Sequence, residues 1–187
     1  MRKWGAVALA GAIVCTVCDH LHVVTGVLSY PHVSFWGQAW WVPLLFACAA
    51  MVIVSGAWTT RKLLGGRALL PPTAGEIAAD GVAFVTAYAF TAYANPLPNV
   101  VAAVLFGWWL ARVLRNAPAW LIAYSLATAI GGTLFEASWS ALGFFHYNAP
   151  DFLGVPRWLP GIYLHVAFLT ASLERLVGGD HRPSASR

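Results

Sequence analysis

The chain has 187 residues, of which 59% are hydrophobic and only 10% charged, and its mean hydropathy is +0.67. A soluble domain carries roughly 25% charged residues, so this composition excludes a water-coated globule and points to an integral membrane protein, helical because its apolar runs are long and unbroken. The net charge of +4 is spread over the ends of apolar segments and forms no single basic patch, which argues against nucleic acid as a partner.

In chain order, the opening MRKWGAVALAGAIVC mimics a signal peptide, but its apolar region runs on to about Leu28 and no small-residue cleavage site stands out. It reads as a retained first helix over about 5–28. A second span covers about 39–58 and stops at TTRKLLGGR. ALLPPTAGE is a linker whose TAGE can cap a third helix, with Thr73 as N-cap and Glu76 three residues on. That helix covers about 75–94 and ends at NPLPN. The fourth covers about 97–114, RNAP separates it from the fifth at about 118–145, and HYNAPDFLGVP leads into the sixth at about 156–176. The expected architecture is all-α: a six-helix transmembrane bundle over 1–177 and a short disordered cytoplasmic tail over 178–187. No internal repeat or low-complexity tract stands out.

Lysine and arginine set the orientation. With the N-terminus cytoplasmic, ten of the 11 basic residues fall on the inner side, and only Arg157 lies outside. Five or seven spans would scatter this asymmetry. Tryptophans agree, with Trp4, Trp58, Trp108, Trp109 and Trp120 near inner ends and Trp36, Trp40, Trp41 and Trp158 near outer ends. Both termini are therefore expected in the cytoplasm.

Three acids fall within the expected spans: Asp19, Asp80 and Glu136. A central acid costs roughly 2.5–3.5 kcal/mol on insertion scales, so it must face the bundle interior, find a partner or be protonated. In CTVCDHLH, residues Cys15, Cys18, Asp19 and His22 share one helical stripe while His20 points elsewhere. Four ligands on one straight helix cannot surround a tetrahedral ion, and a redox C-x-x-C wants an exposed helix N-terminus. Two readings of the stripe stay open: a satisfied polar patch, or the polar end of a ligand cavity. On the fifth helix Gly132, Thr133, Glu136, Trp139 and Ser140 share a stripe. There too an interhelical hydrogen bond from a neutral acid competes with a cavity lining. Asp80 lies one turn inside a helix end and is expected to reach water. The third helix carries Tyr88 and Thr91 near the Phe84 side.

The sequence holds no Gly-rich phosphate loop, no G-x-S-x-G and no H-E-x-x-H. Arginine is nearly absent from span centres, so a cavity here suits a small neutral head on a long apolar body. No metal or cofactor is expected.

Two stretches carry a resemblance. FWGQAWWVP, Phe35 to Pro43, stands before the second helix, and GFFHYNAPDFLGVPRWLPGIY, Gly143 to Tyr163, joins the fifth to the sixth. Together they resemble the Insig family, endoplasmic-reticulum membrane proteins of animals. That family has an Ala-Trp-Trp-Val-Pro segment and a Tyr-x-x-Pro-Asp-Phe-Leu loop leading into Arg-x-Trp-Leu-Pro; Trp108-Trp109 also has a counterpart. The match covers about residues 35–163 with gaps. The resemblance implies a bundle of six transmembrane helices with cytoplasmic termini. It also implies a receptor that binds oxysterols within the membrane and holds other membrane proteins. The stretch TAYANPLPN lacks the acid that family members carry there. Nine arginines to two lysines suggest a bacterial chain, hence the bacterial cell membrane, or the endoplasmic reticulum for a eukaryotic one.

The expected ligand is a sterol or another neutral amphiphile such as a diacylglycerol-like lipid. Its candidate contacts are Asp19 and His22, Tyr88, Glu136 and Trp139, with Gln38 and Trp41 at an outer mouth. The competing readings are an enzyme on a polyprenoid-type substrate using Asp19 or Glu136 as proton donor and a small proton-coupled transporter. Small-residue faces such as Gly131-Gly132 allow helix association, and with it a homo-oligomer.

Overall fold

The computed structural model describes residues 2–67, 70–115 and 117–178; the expected tail, beyond Gly178, lies outside them. Six helices follow one another: α1 (Arg2–Val24), α2 (Val42–Leu63), α3 (Ala74–Tyr93), α4 (Pro98–Val113), α5 (Ala119–Ala141) and α6 (Leu159–Gly178). Three of them, α1, α2 and α5, are long and apolar enough to cross a membrane, and α4 is a shorter apolar helix. Short strands β1 (Leu28–Ser29) and β2 (His146–Tyr147) pair antiparallel, joining the α1–α2 and α5–α6 connections at one end of the bundle.

Each helix starts where the sequence offers a start. Thr73 accepts from the Glu76 amide while the Glu76 carboxylate takes the Thr73 amide, the capping box foreseen from TAGE. Helices α2 and α4 begin with a proline in the first turn, where a missing N–H costs nothing. Helices α1 and α5 stop four residues short of their expected ends. Gly26 at φ 72° and Gly143 at φ 80° turn the chain out of the helix, and the next residues enter the ladder.

These coincidences come from a repeat that reading the sequence by eye missed. Residues 9–43 align without a gap on residues 126–160, at a constant offset of 117, with eleven of 35 positions identical. Leu9, Ile13, Thr16, Gly26, Tyr30, Phe35, Gly37, Trp41 and Pro43 meet Leu126, Ile130, Thr133, Gly143, Tyr147, Phe152, Gly154, Trp158 and Pro160. Asp19 meets Glu136. The backbone follows suit. Phe35 bridges Gln38 and Phe152 bridges Val155, each around a turn with both central residues at positive φ: Trp36 (47°) and Gly37 (72°), Leu153 (52°) and Gly154 (78°). Two such residues in succession define the type I′ pattern. In the ladder the equivalent residues Ser29 and His146 face each other, so a local two-fold axis passes between the repeats. The expectation of no repeat is thus corrected: α1–α2 and α5–α6 are two copies of one hairpin, with α3–α4 inserted between them.

Within each copy the helices pack closely, and α2 also meets both α5 and α6. Glycines set two close approaches. A Cβ on Gly132 would stand 2.3 Å from the Tyr163 ring, and one on Gly161 2.7 Å from Leu105. Replacing Gly132→Ala should therefore cost about 1–3 kcal/mol, the usual penalty for overpacking. A lowered melting temperature in mild detergent, with no such drop for Gly131→Ala, whose Cβ would meet nothing within 4 Å, checks this.

Candidate functional site

The polar groups singled out from the sequence gather beneath the ladder. Asp19 on α1 is 6% exposed, and its Oδ2 accepts from the Tyr30 hydroxyl at 2.8 Å and from Gln38 Nε2 at 2.6 Å. Gln38 Nε2 also donates to the Thr16 carbonyl at 3.0 Å. Glu136, the counterpart on α5, accepts from the Tyr163 hydroxyl at 2.5 Å and from the Tyr147 hydroxyl. Each repeat thus carries one carboxyl held by the tyrosine eleven residues further on. Among the described residues neither acid has a Lys or Arg partner.

Around this pair stands an aromatic and imidazole wall. His22 Nε2 lies 2.9 Å from Thr91 Oγ1, which itself donates to the Tyr88 carbonyl, so the imidazole is the donor and the tautomer is set. The His22 ring stacks on Tyr88 with centroids 5.1 Å apart and leans on Trp158 at 5.6 Å. Trp41 meets Trp139 at 5.3 Å and Tyr30 at 5.8 Å, both edge to face. Asp19, His22 and Gln38 are buried, whereas Cys15, Trp41, Tyr88, Glu136, Trp139 and Tyr163 are only partly so. Glu136 lies within electrostatic range of Asp19, and Tyr88 of Cys15, Tyr163 and Glu136, so groups from α1, α3, α5 and α6 converge.

All seven residues named from the sequence thus fall in one region. Two placements carry detail that the sequence does not. Gln38 is fully buried under Asp19, because the tight turn at Trp36–Gly37 folds its side chain back onto α1. Asp80 keeps some exposure, its side chain being 18% accessible, and is also tied within the bundle. It pairs with Arg112, and its other oxygen accepts from Ser172 at 2.6 Å, tying α3 to α4 and α6. With Arg61–Glu174 at 2.7 Å it forms a belt of charge at the end away from the ladder.

The sequence reading missed Tyr30, Tyr147 and Tyr163. The first two had a signal: the shared Asp/Glu-to-Tyr spacing of the repeat. Tyr163 had none, since its partner sits on another helix. Burial and the neighbouring carboxylate hold the Tyr30 and Tyr147 phenols well above their ordinary pKa, so both remain donors. The cysteines form no metal site with these groups; among the described residues no cluster of three or more His, Cys, Asp or Glu could hold an ion.

This is a helical membrane-type fold with a hydrogen-bonded acid pair under a looped cap, and solved structures share it. The chain is 23% identical to a mycobacterial Insig homolog, MvINS from Mycobacterium vanbaalenii, over 98% of this chain and 97% of that one, with a TM-score of 0.81. A cross-linked trimer of an MvINS cysteine variant matches at 24% identity, 98% and 97% coverage and a TM-score of 0.76. The resemblance read from the sequence is thereby borne out as a shared fold. No protein-family model and no curated protein matches the chain.

Each phenol donates to an acid that has one other side-chain donor and, among the described residues, no Lys or Arg partner. Tyr30→Phe and Tyr147→Phe should each lower stability by about 1–3 kcal/mol, while Tyr93→Phe, at a site 69% exposed, should change it by less than about 0.5 kcal/mol. Unfolding curves in one detergent compare the three.

Proposed function

We propose that the chain is a multi-pass protein of a bacterial cell membrane. All six helices cross the bilayer, both termini are cytoplasmic, and a neutral amphiphilic lipid, a sterol or a diacylglycerol-like molecule, is held between the helices. One observation carries this reading: two carboxyls from two repeats converge beside Tyr88, Tyr163 and Cys15, groups that are only partly buried, and among the described residues neither carboxyl has a Lys or Arg partner. Acceptors without a cationic partner suit a head that donates hydrogen bonds, such as a hydroxyl. Asp19 Oδ2 and both Glu136 oxygens already hold protein donors, which orients the acids and leaves Asp19 Oδ1 without a partner among the described residues. Tyr88, Trp41 and Trp139 would wall the apolar body. The shared fold with an Insig homolog supports this, and the trimer of that homolog supports a homo-oligomer for this chain. The charge belt supports the orientation, since Arg61, Arg112 and Arg175 all lie at the end assigned to the cytoplasm.

Purification in mild detergent, solvent extraction and mass spectrometry should return a neutral lipid in fixed proportion to protein. The double variant Asp19→Asn, Glu136→Gln should retain about tenfold less of it, as expected for two weakened head contacts. Bulk phospholipid in random proportion overturns the reading. For topology, a membrane-impermeant maleimide on intact cells, in a background without native cysteines, should label Ser34→Cys but reach Arg67→Cys only after lysis.

A further inference from the structure

A second cavity lies on the flank of the bundle, away from the acid pair. It has a volume of about 400 Å³, within the range of small-molecule sites. Phe106 and Trp109 of α4 form one wall, Ala129 and Thr133 of α5 the other, and Leu164 of α6 the floor. Phe152 and Leu153 of the second type I′ turn overhang one end. Leu126 and Leu134 bound it along α5, eight residues apart, so the groove runs about 12 Å down the helix.

Three observations say what covers it. Its rims are the exposed apolar residues Phe106, Leu126, Ile130 and Leu134, so the groove is continuous with the hydrocarbon-facing surface. No charged side chain lines it. Thr133 is 5% exposed, and its hydroxyl has no partner among the described residues, where a helical threonine ordinarily donates to the carbonyl four residues back. Thr128, five residues earlier, does so at 2.8 Å to Tyr124. A buried donor left unmade in hydrocarbon is costly, and no other side chain lining the groove can accept from it.

We infer that this flank groove is a second lipid site, taking one acyl chain of a bilayer glycerolipid with its ester carbonyl set to accept from Thr133. Thr133 lies less than one helical turn from the groove's capped end, where Pro160 begins α6, and the remaining length toward Leu126 fits a chain running inward. The two copies of the repeat differ at this place. Thr16, the counterpart, also has an unpartnered hydroxyl, but the fully buried Gln38 lies against its backbone where the second copy has the smaller, apolar Val155.

The test reconstitutes the full chain in phosphatidylcholine vesicles containing a phosphatidylcholine with a diazirine in its acyl chain, and maps the photoadducts by mass spectrometry. Adducts should be about tenfold denser on the α4 and α5 groove segments than on the exposed α2 face around Leu44 and Val52, as burial of an acyl segment implies. Thr133→Val, close to isosteric and expected to fold, should cut that enrichment about fivefold, the worth of one ordinary hydrogen bond. Ala129→Trp, which fills the groove, should abolish it. Tyr93→Phe, at an exposed site outside the groove, should leave it unchanged. Even labelling of all lipid-facing helices, or enrichment indifferent to both groove variants, overturns the proposal. So does efficient copy-to-copy cross-linking through Ile130→Cys, which would put a second copy of the chain in the groove.

Discussion

A carboxyl carried into an apolar bundle must find donors there or cost the fold several kcal/mol. In this chain that requirement shapes one whole end of the molecule. Among the described residues Asp19 and Glu136 pair with no arginine or lysine, and the loops that follow their helices turn back to serve them. Tyr30 returns to Asp19 and Tyr147 to Glu136. The returning segments then lie side by side and pair as β1 and β2. The buried Trp158 caps the arrangement, with its indole N–H on Asn95 at 3.1 Å and its ring against His22. The cap is thus a consequence of where the acids are.

The opposite end solves its electrostatics differently. There the acids have cations: Arg61 with Glu174, Arg112 with Asp80, Arg175 with Glu76. These pairs link α2 to α6, α4 to α3 and α6 to α3, so the inserted helices are fastened chiefly at that end. Near the cap, α4 is held by Asn99, which accepts from Arg157 at 2.7 Å. Between its two fastened ends, α4 leaves a gap along α5.

Much of this was legible in the sequence. Long apolar runs broken by glycine and proline located six helices, and Thr73 with Glu76 marked the start of α3. The stripes through Asp19 and Glu136 pointed inward, as found. What escaped was whatever joins residues far apart. The repeat copies are 117 residues apart, and two-thirds of their positions differ, so only superposing the turns makes the offset evident. Tyr163 and Gln38 act across helix boundaries, where no local period reports on them. For Asp80 the depth along α3 was readable, but the approach of Arg112 from α4 was not.

The local axis through Ser29 and His146 also has a mechanical meaning. Two like hairpins facing each other across a dyad are what a symmetric pair of short polypeptides would form, and joining them through α3 and α4 fixes the ratio of halves at one to one. Once covalently tied, the halves are free to drift apart in chemistry. One now steadies an aspartate with an amide, the other a glutamate with a second phenol. A single chain has thereby acquired a front and a back, which identical subunits cannot have.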